Sequence, residues 1–159
     1  MSTVPSFDKI DSKEKKQKIS GFVVERTTRR MKQAYQRMLK EANTGITVDQ
    51  WIVLELLAKK DGISQLEISK AIHKDAPTVT RIIDLLCKKD LLERKADKED
   101  RRKFNILLTK AGKGKIKKVF PITRKFRTKA WDGLSDDELL QLVNTLETIY
   151  NNLEDVVAK

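Results

Sequence analysis

The stretch LLERKADKEDRRKFNILLT, residues 91–109, places a run of charged residues between two apolar segments. Residues 103–108 alternate apolar and polar side chains, which is typical of a half-buried strand. The segment 91–95 is short enough to pair with it across a charged loop at 96–102. The pattern therefore predicts a β-hairpin. A helix is the weaker alternative, because Ala, Lys, Glu and Arg all favour helices.

Two short helices precede the hairpin and are predicted from their capping residues. Ser64 and Glu67 form the pattern of a capping box, which starts the first helix. Asp75 caps a second helix over 76–89, with Pro77 in its first turn, where a missing N–H costs little. Helices joined by a turn as short as HKD predict a helix-turn-helix. A hairpin directly after the second helix is the wing of a winged-helix domain.

The N-terminal part of the chain predicts two more helices. Apolar residues recur at three- and four-residue steps over 16–42, as one face of a long helix requires. In the sequence TVDQ, Thr47 and Gln50 form a capping box that starts a helix over 48–60.

The C-terminal part predicts a basic helix followed by an acidic one. The Lys-rich segment 110–130 is interrupted by Pro121, so its helix is expected to kink or restart there. Ser135 and Glu138 then form a capping box. The helix that follows has an apolar stripe at three- and four-residue steps and needs a partner helix: Leu139, Leu142, Val143, Leu146, Ile149, Tyr150, Leu153, Val156 and Val157.

Charge is distributed unevenly along the chain. Lys and Arg number 34 against 23 Asp and Glu, a net charge of +11. Residues 104–131 contain nine basic and no acidic residues, whereas residues 132–159 contain seven acidic residues and one basic residue. The excess of positive charge favours an anionic partner, nucleic acid before a membrane surface. The acidic tail is expected to have a different role from the basic body.

The composition argues against several classes of protein. No apolar run approaches the roughly 20 residues that cross a bilayer, and the N-terminus lacks a secretory signal, so a cytoplasmic protein is expected. With one cysteine, Cys87, and one histidine, His73, neither an internal disulfide nor a metal cluster nor a cofactor is expected. No nucleophile, base and orienting group occur together, so the chain is not expected to be an enzyme.

Two motifs give the chain a family resemblance. PTVTRIIDLL at 77–86 and RKADKEDRRKFNILLTKAG at 94–112 resemble the recognition helix and wing of the MarR family of bacterial transcriptional regulators. The order of predicted elements is similar to that family over about residues 16–157. In the second motif the matching positions are Asp100, Arg102, Leu108, Thr109 and Gly112.

The resemblance implies a fold that is mainly α-helical with a small β wing, in a single domain over 1–159. A winged helix-turn-helix lobe at about 47–109 would bind DNA, and helices at about 16–42 and 115–157 would form an obligate homodimer. Each subunit would place its recognition helix in a major groove and its wing in the adjoining minor groove. Asp90 stands where relatives usually carry Gly, and Asp tolerates the left-handed conformation that this turn needs.

Within this arrangement Arg102 is expected to enter the minor groove, and Asp100 to direct its guanidinium through a charge-assisted hydrogen bond. Arg81 is the strongest candidate for reading bases. The remaining candidate DNA contacts are hydroxyl or cationic side chains near the recognition helix and on the wing: Thr78, Thr80, Lys74, Arg94, Lys95, Lys98, Arg101 and Lys103. For segment 110–129 a solvated face is favoured over contact with flanking DNA.

Other conspicuous residues have more ordinary interpretations. Cys87 is expected to be a buried, inert thiol among Ile83, Leu86 and Leu91, and His73 a polar turn residue. A small aromatic or anionic effector is the kind of ligand that the family resemblance implies. The aromatic and sulfur-containing residues that could line its pocket are favoured as core residues, so no ligand-binding residue is assigned: Phe22, Met31, Tyr35, Trp51 and Trp131.

Three functions remain open at this point. The favoured one is a sequence-specific repressor that binds a pseudo-palindromic operator as a homodimer and is released by an effector. The second is a nonspecific or architectural winged-helix protein that binds nucleic acid. The third is a regulator that senses oxidants through Cys87.

Overall fold

The computed structural model describes residues 12–97 and 103–157. Most of these residues are helical, and a small antiparallel sheet accompanies the helices, which confirms the predicted fold class. The elements in chain order are α1 Lys13–Glu41, α2 Val48–Lys59, β1 Ile63–Ser64, α3 Gln65–Ile72, α4 Ala76–Lys88, β2 Leu92–Ala96, β3 Phe104–Leu108, α5 Lys110–Ala130, α6 Asp136–Asn152 and α7 Glu154–Val157.

The predicted helix starts are confirmed because they depend on local chemistry. Thr47, Ser64 and Ser135 each accept a hydrogen bond from the backbone N–H three residues on, and the Gln or Glu there returns one. These reciprocal bonds satisfy N–H groups that a helix cannot pair internally. Asp75 caps α4 in a similar way by accepting from the N–H of Thr78.

The sheet has three strands in the order β1-β3-β2. In the predicted hairpin, Leu92 pairs with Leu108 and Ala96 pairs with Phe104, so each strand begins one residue later than predicted. Strand β1, in which Ile63 pairs with Ile106, was not predicted from the sequence. A two-residue strand carries no periodic signal of its own, and its partner lies more than forty residues away in the chain.

The chain divides into two compact units, Met1–Phe126 and Arg127–Lys159. The first unit contains the core, which lies among α2, α3, α4, the sheet and parts of α1 and α5. Helices α2 and α4 supply many of its fully buried side chains, and β3 supplies Ile106. This core fixes the outward face of α4 relative to the β2–β3 hairpin.

Helix α5 passes through Pro121 without a break, so of the predicted kink or restart the restart is excluded and the kink stays a prediction. A proline within a helix removes one backbone hydrogen bond. Here the turns on both sides of Pro121 are anchored, because Val119 on one side and Thr123 and Phe126 on the other are buried. This burial explains why the helix continues.

The second unit contains α6 and α7, and none of the residues of α6 is buried. Its apolar stripe includes Val143, Leu146 and Ile149, each at least 40 % exposed. Within the described parts of the chain, no helix combines the length and the apolar character that a transmembrane span needs.

Candidate nucleic-acid interface

Helices α3 and α4 are joined by a tight turn at residues 73–75. His73 ends α3 in the left-handed conformation, with φ 51°, and so has the turn position that was predicted for it. Ser69 Oγ donates to the Lys74 carbonyl at 2.5 Å, and the Lys74 N–H donates to the Ser69 carbonyl at 3.2 Å. The resulting connection is that of a helix-turn-helix.

The N-terminus of α4 is organised around Asp75. Its carboxylate accepts from the Thr78 N–H at 2.8 Å and from the Thr78 hydroxyl, also at 2.8 Å. These two bonds stabilise the charged form and lower the pKa of Asp75 below its ordinary value. The hydroxyl proton of Thr78 is therefore already in use, although its oxygen can still accept.

Helix α4 has one buried face and one polar, accessible face. Val79, Ile82, Ile83 and Leu86 pack into the core. The opposite face carries Pro77, Arg81, Asp84, Leu85 and Lys88, all of which are exposed except the half-buried Asp84. This is the face that could enter a major groove.

Thr80 lies at the edge of this face and not at its centre. Its hydroxyl donates to the Ala76 carbonyl at 2.8 Å and accepts from Gln65 Nε2 of α3. Thr80 is part-buried, and its hydroxyl both donates and accepts a hydrogen bond. The bond from Gln65 links α3 to α4. The role of Gln65 was not predictable from the sequence, since the two helices must be packed before the contact exists.

Arg81 remains the cation predicted to contact bases. It is exposed near the N-terminal end of α4. Within residues 12–97 and 103–157 no side chain forms an ion pair or hydrogen bond with it. Its guanidinium has five N–H donors, which match the acceptors of guanine or of a phosphate.

Three other residues that were predicted to contact DNA already form ion pairs with carboxylates of the same chain. Lys74 Nζ lies 3.3 Å from Asp49 Oδ1, and Lys95 Nζ lies 3.2 Å from Glu93 Oε1. Arg94 Nη2 lies 2.6 Å from Asp84 Oδ1. DNA must therefore compete with an internal partner for each of these cations, so their roles as phosphate contacts remain predictions.

The base of the wing is closed by two hydrogen bonds. The Asp97 N–H donates to the Lys103 carbonyl at 2.9 Å, and Asn105 Nδ2 donates to Asp97 Oδ2 at 2.8 Å. Lys103 is exposed on the strand side of this closure. The predicted tip residues lie outside the described residues, so their roles remain predictions: Lys98, Asp100, Arg101 and Arg102.

The motif that follows the wing has a clear structural basis. Thr109 Oγ1 donates to the Asp90 carbonyl at 2.5 Å and accepts from the Gly112 N–H at 2.9 Å. A Cβ atom on Gly112 would lie only 2.1 Å from the Leu91 carbonyl oxygen, so this position requires glycine. Asp90 adopts the left-handed conformation, with φ 56°, as predicted.

The basic residues of α5 include two with internal partners. Lys115 Nζ donates to the Thr44 carbonyl at 2.8 Å, and Lys113 Nζ lies 3.9 Å from Asp61 Oδ2. Asp61 Oδ1 also accepts from the Leu108 N–H at 2.9 Å and thus links the end of α2 to β3. Part of the Lys-rich segment therefore stabilises the lobe.

Cys87 is part-buried and packs against the core. Burial raises the pKa of its thiol, and the opposing charge of Arg94 lowers it by less. A raised pKa leaves little of the nucleophilic thiolate at neutral pH. This environment supports the prediction of an inert thiol, although the side chain is less deeply buried than expected.

The five residues considered for an effector pocket have different environments. Trp51 is buried in the core, and Tyr35 stacks on Phe126 with ring centroids 4.3 Å apart. Phe22 is 59 % exposed, with the Arg26 guanidinium 5.9 Å from its ring centroid. Met31 is half-buried, and Trp131 lies in the second unit and is exposed. The four residues of the first unit therefore differ in burial and do not share one environment.

Comparison with known proteins agrees with the helix-turn-helix and wing. The model of the MarR family matches residues 46–104, from the residue before the α2 cap to the start of β3. The predicted resemblance to the MarR family is thus confirmed over these residues. The matched range covers the elements that present Arg81 and the hairpin on one lobe.

Solved structures extend the similarity to most of the chain. The S. aureus MepR–DNA complex is 26 % identical, with a TM-score of 0.75, covering 84 % of this chain and 96 % of that one. BpsR of Bordetella bronchiseptica, whose DNA binding is regulated by 6-hydroxynicotinic acid, is 25 % identical, with a TM-score of 0.73, over 82 % and 98 %. A probable transcriptional regulator from Pseudomonas aeruginosa is 25 % identical, with a TM-score of 0.69, over 81 % and 95 %.

Proposed function

We propose that this MarR-family chain is a sequence-specific DNA-binding repressor, which binds a pseudo-palindromic operator as a homodimer and is released by a small effector. The observation that carries the proposal is the outward face of α4. It presents Arg81 from a rigid helix that is packed through four apolar residues and adjoins an antiparallel hairpin. This arrangement suits a recognition helix in the major groove with a wing beside it.

The exposed stripe of α6 supports the dimer. Apolar residues such as Val143, Leu146 and Ile149 repeat on one side of a helix that buries none of them within its own chain. An amphipathic helix of this kind is stabilised when a second apolar surface covers its stripe. We propose that the surface belongs to a second copy. A two-fold dimer of helix-turn-helix proteins binds half-sites about one helical turn of DNA apart.

A matched pair of variants tests the dimer. Leu146→Glu places a charge in the apolar stripe and should give monomers in sedimentation experiments. Gln141→Glu adds the same charge to α6 at a polar position and should leave dimers intact. If both variants sediment like the unmodified protein, the stripe is not the dimer interface.

Selection of bound sequences from random DNA tests the main proposal. The dimer should enrich an inverted repeat whose half-sites lie about 10 base pairs apart. Arg81→Ala should then weaken binding to that sequence by about 1–3 kcal/mol and affect random DNA less. Enrichment of no sequence would instead indicate the architectural alternative, in which the same winged helix binds DNA without selecting it.

Arg102 provides a separate test of the wing. Removal of its guanidinium in Arg102→Ala should weaken binding most on operators with A·T-rich flanks, because narrow minor grooves concentrate negative potential. Operators with G·C-rich flanks are the matched control. Equal losses on both kinds of flank would count against a minor-groove contact.

Release by an effector is the least direct part of the proposal. DNA binding by BpsR is regulated by 6-hydroxynicotinic acid, a small aromatic anion, and BpsR has a similar fold. For this basic chain we propose the same general chemistry of ligand. A panel of aromatic carboxylates should contain compounds that lower the affinity for the selected operator. Oxidants should not do so, since Cys87 lies in an environment that suppresses its thiolate.

A further inference from the structure

We infer that Asp84 of α4 is a base-selecting residue that prefers cytosine, and that Arg94 of β2 is the positioning residue that holds its carboxylate. The inference deepens the proposed function and rests on it. The sequence predicts no role for Asp84, and Arg94 is predicted from it as a phosphate contact.

Asp84 lies on the polar, accessible face of α4. It lies three residues after Arg81, so the two side chains occupy the same side of the helix. The side chain is 47 % exposed, whereas the neighbouring Ile83 is fully buried. Asp84 is thus presented by the same outward face as the strongest candidate for base contact.

Arg94 orients the carboxylate of Asp84. The Arg94 guanidinium reaches from the hairpin to α4 and donates to Asp84 Oδ1 at 2.6 Å. Such a charge-assisted hydrogen bond fixes the direction of a carboxylate. Oδ2 has no hydrogen-bond partner within the described parts of the chain. The carboxylate is therefore held on one oxygen and retains accepting capacity on the other.

The donors and acceptors of the major groove determine which base a carboxylate can bind. An ionised carboxylate only accepts hydrogen bonds, so it suits the amino group of cytosine. The same group is repelled by the acceptors of guanine, by thymine O4 and by every phosphate. An acidic residue on this face consequently lowers affinity for wrong sequences, which is one way of achieving specificity.

Arg81 and Asp84 are complementary in this respect. Arg81 offers donors only, which favour guanine, and Asp84 offers acceptors only. Three residues of an α-helix rise roughly 4.5 Å, close to the roughly 3.4 Å between base pairs on one strand. The two side chains can therefore read neighbouring base pairs in each half-site.

A purely structural role for the ion pair explains less. The side chains of Asp84 and Arg94 are 47 % and 32 % exposed, and ion pairs of this kind add little to folding stability. An acid on the face that approaches DNA weakens general attraction to the phosphates. Its presence there is accounted for when it selects a base.

The test uses the full-length protein and the sequence that the unmodified protein selects from random DNA. Each base pair of one half-site is replaced in turn, and affinity is measured for the unmodified protein, Asp84→Ala and Asp84→Asn. Asp84→Ala should reduce the preference for cytosine at one position by roughly tenfold, increase affinity for random DNA and leave the neighbouring guanine preference intact. Asp84→Asn should shift that position towards adenine, since Asn pairs with adenine in the major groove.

Two hairpin variants complete the test. Arg94→Gln should weaken the same cytosine preference without altering the guanine position, and Arg94→Lys should restore it in part. Glu93→Gln is the matched control, because it removes a neighbouring acid that pairs with Lys95 and should change no base preference. Thermal melts confirm that each variant is folded, and Asp84→Asn, which is nearly isosteric, replaces Asp84→Ala if the latter unfolds.

The outcomes separate the two proposals. If the unmodified protein selects no sequence, the proposed function fails. If it selects one, and the Asp84 variants change affinity equally on all sequences with the same base preferences, only the role of Asp84 is overturned.

Discussion

Helices α4 and α6 are both amphipathic, but the apolar face of α4 is buried and that of α6 is exposed. Helix α4 buries Val79, Ile82, Ile83 and Leu86 within its own chain. Helix α6 has an equally regular stripe and buries none of it. Apolar residues at three- and four-residue steps therefore predict a helix. They do not show whether the surface that packs on the apolar face belongs to the same chain or to another.

The largest expected effect is a loss of folding stability when the core of the lobe is truncated, and it is compared with truncation of the α6 stripe. Leu54 is fully buried, so Leu54→Ala should lower the free energy of unfolding by about 2–5 kcal/mol. Leu146 is 40 % exposed, and its truncation should act through association. Urea denaturation at several protein concentrations distinguishes them. The deficit of Leu146→Ala should grow with concentration, and that of Leu54→Ala should not. Equal, concentration-independent deficits would contradict the difference between α4 and α6.

The second effect compares two glycines of α5. Gly112→Ala places a methyl group against the Leu91 carbonyl oxygen and should destabilise the lobe by about 1–3 kcal/mol. A Cβ at Gly114 meets nothing within 4 Å, so Gly114→Ala should stabilise the protein by about 0.5–1 kcal/mol. Urea denaturation of both variants provides the measurement. Changes of the same sign would show that helix propensity outweighs the close approach of Gly112.

Much of the fold was predictable because its signals are local. The capping residues Thr47, Ser64, Asp75 and Ser135 start four helices where the sequence placed them. Each cap involves residues only three positions apart, so no tertiary information is needed.

The missed features all depend on contacts between distant segments. Strand β1 exists because Ile63 meets Ile106, and the sequence could not decide between a kink and a restart at Pro121, because residues on both sides of it are buried only in the folded chain. The bond from Arg94 to Asp84 likewise forms only after the hairpin has packed beside α4. Sequence alone identified Arg81 as a candidate, but it could not show which cations already had partners.

A smaller effect concerns the cap of α4. The pKa of Asp75 is lowered by the two hydrogen bonds from Thr78. Its stabilising contribution is therefore present above the unfolded-state pKa of about 3.9 and is lost as pH falls through the lower folded-state value. Asp75→Asn retains a capping oxygen but does not titrate. Its urea midpoint should decline less than that of the unmodified protein below pH 4. Parallel declines would show that this carboxylate does not contribute to acid sensitivity.

The smallest effect is expected at Cys87. Because burial raises the thiol pKa, alkylation at neutral pH should be slower than for a free cysteine and should accelerate as pH rises. Cys87→Ala should leave operator affinity, and its response to peroxide, unchanged. A peroxide-dependent loss of binding that disappears in Cys87→Ala would establish the redox alternative.

The hydroxyl of Thr109 has a mechanical consequence. It is bonded to the Asp90 carbonyl after α4 and to the first turn of α5, and the backbone N–H of Thr109 donates to the Leu91 carbonyl at the start of the hairpin. Thr109 thus links three elements through its side chain and its backbone. A tilt of α5 cannot leave the recognition helix and the wing in place unless these bonds break, so force applied to α5 is transmitted to both DNA-facing elements together.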